Sequence, residues 1–166
     1  MAKSEWLPYN RIVKKSIYIS RPVVNTQEIE MWMRQQGFTS CLHGSSMHVT
    51  VAFDHRLHDW DALPLDTHSY IEVREPDERS ISIFKGAATV LEFYSQELVA
   101  RWGELVQSGL VWRWPDYRPH ITLTYNTPLG FRPSRVLPFP GVIVLGPEEP
   151  VEVTSKWANS LEEHPL

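Results

Sequence analysis

The sequence predicts an α+β domain built as two similar halves, each a mainly antiparallel sheet lobe, facing one another across a central cleft. Three observations carry this expectation. Short stretches of two-residue alternation rich in Ile, Val, Thr and Tyr recur along the chain, and two stretches have helical periodicity. Each of those two precedes a strand with the pattern His-apolar-Thr-apolar, so the chain repeats at the level of architecture. At 166 residues, with 42% hydrophobic and 22% charged residues, residues 1–166 read as one globular domain.

The elements follow in order. Residues 16–24 alternate and stop near a proline, which suits a short strand. A helix then starts at Asn25 or Thr26, either of which can cap it; Ile29, Trp32 and Met33 share its buried face and Gly37 ends it. Residues 47–53 form a strand, and 55–68, polar and rich in His and Asp, read as a loop. Alternation returns over 69–75 and 79–86 on either side of Pro76-Asp77-Glu78, which predicts a hairpin, with 88–94 as a third meander strand. The second helix covers 95–109, with Ser95 as cap, Leu98, Trp102 and Leu105 on one face and Gly109 as its stop. Residues 119–125 are a strand, and the Pro-rich tail holds two more short strands joined by a Gly146-Pro147 turn.

Chemistry concentrates in the strands MHVTVAF and PHITLTY. Alternation puts His48, Thr50 and Ala52 on one face and Met47, Val49, Val51 and Phe53 on the other; in the second copy His120, Thr122 and Thr124 oppose Ile121, Leu123 and Tyr125. If the halves pack pseudo-symmetrically, two imidazoles and two hydroxyls converge on one small group. Phosphodiester cleavage calls for this set. One imidazole takes a proton from the attacking oxygen, the other gives one to the departing oxygen, and the hydroxyls donate to the non-bridging oxygens. The triplet His43-Gly44-Ser45 has a similar spacing but lies among turn formers without apolar alternation, so it reads as a decoy.

Composition excludes several classes. A net charge of -4 gives no pull toward a long nucleic acid, while Lys14, Lys15, Arg113 and Arg118 are local cations able to serve a small nucleotide. No apolar run is long enough to span a membrane, and the N-terminal stretch lacks the apolar centre of a secretory signal, so a cytoplasmic protein is expected. The lone Cys41 supports neither a disulfide nor a thiolate zinc site and is expected to be a small buried hydrophobe. His55, His58, Asp59 and Asp61 lack a partner cluster with metal-site spacing, so no metal or other cofactor is expected. No Gly-x-Ser-x-Gly elbow or phosphate-cradling Gly-rich loop is present, which disfavours serine hydrolase and P-loop chemistry. Trp112 and Trp114, flanked by arginines just before the second His strand, are placed to cover a nucleotide, although Trp114 can equally fill the core.

The pair HVTV and HITL resembles the two His-x-Thr/Ser signatures of the 2H phosphoesterase superfamily. That resemblance implies a bilobal α+β fold with a pseudo-twofold axis, metal-independent chemistry, His48 and His120 as base and acid with the order of the two roles left open, and Thr50 and Thr122 as phosphate ligands. Within it the chain is most similar to the bacteriophage anti-CBASS proteins, which degrade cyclic di- and trinucleotide messengers of a bacterial immune system. The Tyr of SIYISRP, the segment VIVLGPE and the Trp of TSKW carry this likeness, and by it Tyr18, Glu148 and Trp157 would contact bases. The implied partner is a small cyclic oligonucleotide in the cytoplasm of a bacterial host, with no membrane partner and oligomeric state left open. The alternatives are a 2',3'-cyclic phosphodiesterase or RNA-ligase-like enzyme acting on RNA ends, and a non-catalytic protein that sequesters a nucleotide.

Overall fold

In the computed structural model, which describes residues 13–84 and 88–153, the chain runs β1 (Lys14–Pro22), α1 (Thr26–Gln35), β2 (His48–Asp59), β3 (Ile71–Val73), β4 (Ser80–Phe84) and β5 (Ala88–Glu92). It continues through α2 (Gln96–Gln107), β6 (His120–Thr124), β7 (Ile143–Leu145) and β8 (Glu149–Val151). Six strands form one antiparallel sheet of order β4-β5-β6-β2-β1-β8, and β3 pairs with β7 in a second, two-stranded sheet. The large sheet reads the same from its centre outward: β2 and β6 pair, β1 and β5 flank them, and β8 and β4 are the edges.

The symmetry extends to register. Pro22, Arg21 and Ser20 oppose His48, Val49 and Thr50 just as Glu92, Leu91 and Val90 oppose His120, Ile121 and Thr122. Both ladders then slip at the same place. Ile19 opposes Ala52, and Thr89 opposes Thr124, so Val51 and Leu123 are each an extra residue immediately after the motif threonine. An extra residue in one strand reverses the alternation beyond it. Phe53 therefore does not lie opposite His48 as the simple period predicts. It pairs with Tyr18, with ring centroids 6.4 Å apart, while Ala52 joins the main core.

That core covers one face of the sheet. Ile29, Trp32 and Met33 of α1 and Leu98 and Leu105 of α2 share a buried cluster with Val49 and Ile121 of the two central strands. Each such side chain contributes about 1.5–3 kcal/mol by leaving water. The opposite face carries a smaller cluster of Tyr18 and Phe53, against which Trp112, Trp114 and Val153 pack. The helices are thus the support, and the other face is free for chemistry.

Capping differs between the helices. In α2 the Ser95 hydroxyl accepts from the Leu98 amide at 3.2 Å, as the sequence predicts. Ser95→Ala is expected to cost about 1 kcal/mol, read from the urea midpoint, with unchanged activity. In α1 the Asn25 side chain makes no cap bond. It donates to the Val142 carbonyl at 2.6 Å and accepts from the Val144 amide at 2.9 Å, tying the helix start to β7. Gly37 and Gly109 follow the two helices with φ of 91° and 118°, the left-handed exit that glycine takes without strain.

Several expected elements are corrected. Residues 55–59 are not loop, because β2 runs on to Asp59 and pairs with Lys14 and Lys15. The segments around Pro76 are not a hairpin. β3 pairs with β7, which buries Ile71 and Val73, while β4 pairs with β5. Arg79, buried at the start of β4, donates to the Val73, Phe139 and Gly141 carbonyls and holds the connection in place of strand pairing. β7 and β8 belong to different sheets, so Gly146-Pro147 is a crossover between sheets. Cys41 is exposed.

Candidate active site

The central strands meet through the pair Val49 and Ile121. Carried one residue either way in an antiparallel ladder, this register sets His48 opposite Thr122 and Thr50 opposite His120, all four on the face turned away from the helices. Each imidazole thus lies beside the hydroxyl of the other half.

The two rings are oriented by the same device. His48 Nδ1 is 2.8 Å from the Ser46 carbonyl, and His120 Nδ1 is 2.8 Å from the Arg118 carbonyl, in each case two residues earlier in the chain. A carbonyl only accepts, so both rings donate through Nδ1 and leave Nε2 as the nitrogen without a proton in the neutral ring. His48 is partly buried and its Nε2 is 2.6 Å from the Tyr18 hydroxyl, which also lies 2.7 Å from Thr50 Oγ1. His120 is buried, with Phe84 edge-on at 4.9 Å between centroids. Burial lowers the His120 pKa, helped by the nearby charges of His48 and Arg118 and opposed by its bond to the Arg118 carbonyl and by Glu92. The Val49–Ile121 register brings the two rings to neighbouring strands, and the charge of His48 is among the influences on His120.

The structure distributes the other predicted residues unevenly. Tyr18 is buried at 4% exposure, its phenol pKa is raised by burial, and it offers its hydroxyl to His48 and Thr50 rather than an open face to a base. Glu148 departs further from expectation. Its side chain is fully buried, and its oxygens accept from Arg101 Nε and Nη2 at 2.7 Å, from Arg21 Nη2 at 3.3 Å and from the Asp66 amide at 2.9 Å. A carboxylate so occupied is an anchor, not an exposed acceptor. Trp114 is half-buried, 6.0 Å from Phe53 and 4.7 Å from Trp112 between centroids, with Arg113 over its ring. Trp157 lies outside the described residues.

Among the predicted cations, Arg118 forms an ion pair with Glu92, and Lys15 sits over the Trp60 ring. His43 caps the short 3-10 turn Gly44–Ser46. His58 pairs with Asp54, whose carboxylate also receives the Val111 amide, so this part of the polar segment ties β2 to the loop bearing the tryptophans. Among the described residues no group of three or more His, Cys, Asp or Glu side chains is arranged to hold a metal, and no helix is long and apolar enough to cross a membrane.

Sequence reasoning missed Tyr117 and Phe84. The Tyr117 hydroxyl donates to the Thr50 carbonyl at 2.7 Å, and its ring stacks on Trp102. Its position three residues before His120 was the available signal. Phe84 gave none, since its approach to His120 depends on the pairing of β4 with β5 and of β5 with β6.

The chain matches the family model described as anti-CBASS protein Acb1 over residues 15–160. A curated relative from Caulobacter sp. (strain RHG1), named anti-CBASS protein Acb1, is 31% identical over 153 residues, covering 90% of this chain. One of the same name from Sphingomonas paeninsulae is 28% identical over 149 residues, covering 86% of this chain. The chain spans about a quarter of the length of these relatives, 24% of each. Among solved structures it is similar to E. coli LigT complexed with 3'-AMP, with a TM-score of 0.53 and 11% identity over 86% of this chain and 96% of that one. A structure described as a phosphoesterase gives a TM-score of 0.55 and 12% identity over 84% and 89% of the two chains. The chain shares the fold of these two structures, an α+β arrangement with two helices and mostly antiparallel sheets.

Proposed function

Because the chain belongs to the Acb1 family of anti-CBASS proteins, we propose that it is a phosphodiesterase that opens 3'-5' linkages in small cyclic oligonucleotides and so counters CBASS immunity. The observation that carries this reading is the matched pair of histidines. Each is fixed through Nδ1 to a backbone carbonyl, and each sits on the same face of adjacent strands registered through Val49 and Ile121.

The reaction follows from those groups. The ribose 2'-hydroxyl next to the scissile phosphate attacks phosphorus while one Nε2 takes its proton, and the other Nε2 protonates the departing 5'-oxygen. A 2',3'-cyclic phosphate and a free 5'-hydroxyl result, and water reopens the ring with the roles exchanged. Thr50 and Thr122 donate to the non-bridging oxygens, where charge builds. The Trp112 and Trp114 rings, in contact with the Tyr18 and Phe53 cluster, provide the flat surface for a base. Two imidazoles supply both proton transfers, so the scheme needs no metal. The expected place of action is the cytoplasm of a bacterial host.

Cyclic di- and trinucleotides incubated with the protein in EDTA are expected to yield linear products by chromatography, while 2'-deoxy analogues persist. Rapid cleavage of the deoxy analogues would exclude the 2'-hydroxyl route. Turnover confined to RNA ends with 2',3'-cyclic phosphates would move the activity to RNA processing, and binding without turnover would leave a sequestering protein.

A further inference from the structure

The pseudo-twofold register breaks at the one position that touches a reacting nitrogen. Matching Ser20 to Val90 and Ile19 to Thr89 makes Tyr18 on β1 the counterpart of Ala88 on β5. Tyr18 places its hydroxyl 2.6 Å from His48 Nε2 and 2.7 Å from Thr50 Oγ1. Alanine has no such group, and among the described residues His120 Nε2 has no hydrogen-bond partner. We propose that Tyr18 is a positioning residue that makes the two histidines unequal, holding His48 as the general acid and leaving His120 as the general base. This assignment rests on the phosphodiesterase reading above.

A hydroxyl fits both states of an acid. When His48 is protonated, the Tyr18 oxygen accepts from Nε2–H, a bond the departing O5' shares and then takes over, and the proton of Tyr18 itself goes to Thr50 Oγ1. When His48 is neutral, the hydroxyl turns and donates to Nε2 while accepting from Thr50. Tyr18 itself keeps its proton, since burial raises its pKa. His120 lacks this acceptor, and burial favours its neutral form. The groups around it do not reverse that. Glu92 of β5 favours the charged form, but its carboxylate is bound by Arg118 at 2.9 and 2.7 Å; Phe84 of β4 is apolar, and His48 of β2 repels a second charge. Around His48 stand the Ser46 carbonyl, Thr50 and Tyr18, with Tyr125 near the phenol.

The step balances. As O2' bonds to phosphorus, its proton moves to His120 Nε2; as the bond from phosphorus to O5' breaks, O5' takes the proton of His48 Nε2. The pair ends with one charge, as it began.

A cyclic dinucleotide with sulfur in place of the bridging O5' tests the assignment, because a thiolate leaves without a proton. On the oxygen substrate, His48→Ala and His120→Ala are each expected to be about 10²–10⁴-fold slow. On the sulfur substrate, His48→Ala is expected to recover to within about tenfold of wild type, while His120→Ala stays slow. Recovery of His120→Ala instead would overturn the assignment. Tyr18→Phe keeps the ring and its packing but loses the hydroxyl. We expect kcat to fall about 10–100-fold on the oxygen substrate, the loss of a hydrogen bond to a charged group, with little change on the sulfur substrate. Equal losses on both substrates would make Tyr18 merely structural and sink the proposal. If the wild type cleaves neither substrate, the phosphodiesterase reading itself fails; if both histidine variants are slow on the oxygen substrate while Tyr18→Phe matches wild type, only the role of Tyr18 fails.

Discussion

Glu148→Ala is expected to lower the stability of the protein by about 3–5 kcal/mol, the cost of leaving a buried charge without its partner. The carboxylate is fully buried and joins four separate pieces of chain. Arg21 comes from β1, Arg101 from α2 and the Asp66 amide from the segment before β3, while Glu148 itself precedes β8. Arg21 is also fully buried, and after the substitution it would keep Asp66 at 2.8 Å and the carbonyls of Ser69 and Gly146. Those contacts soften the loss without removing it. The adjacent Glu149 is exposed, and Glu149→Ala is expected to stay within about 0.5 kcal/mol of wild type. Urea denaturation of the two variants decides between roles for Glu148. An anchor shows as a fall in the midpoint, whereas a base-contacting residue would leave the midpoint in place and raise KM.

The case of Glu148 illustrates what a sequence withholds. A Glu beside another Glu reads as solvated surface, since carboxylates are seldom buried unless paired, and its partners here are distant in the chain. The same holds for β3, whose alternation is visible but whose partner β7 lies far downstream. Strand existence is local; strand pairing is not. By contrast, the two His-x-Thr triplets were legible because alternation holds over those three residues, and the helices because apolar spacing and the Gly stops agree. The alternation fails one residue later, where both strands carry an extra residue. This is why Phe53 was assigned to the wrong face and why the hydroxyl of Tyr18, placed by its pairing with Phe53, could not be seen beside His48.

His120→Ala is expected to lower kcat by about 10²–10⁴-fold, and the pH profile of the wild type should show why. A general base works in its neutral form. Burial disfavours the charged form of His120, so kcat/KM should hold as pH falls past about 6.5, the ordinary imidazole value, and drop only through the lower pKa of the buried ring. Linkage gives the same depression a second readout. Below about 6.5 the unfolded chain takes up the proton before the native protein does, so the contribution of this group to stability is lost as pH falls toward the native value. The shift has a structural source in the Phe84 ring against His120. Phe84→Ala admits water to the imidazole, and its acidic limb should move up toward 6.5 while the alkaline limb stays put. An acidic limb unchanged by that substitution would show that Phe84 does not set the state of His120, and one starting above 6.5 in the wild type would make His120 a poor choice of base.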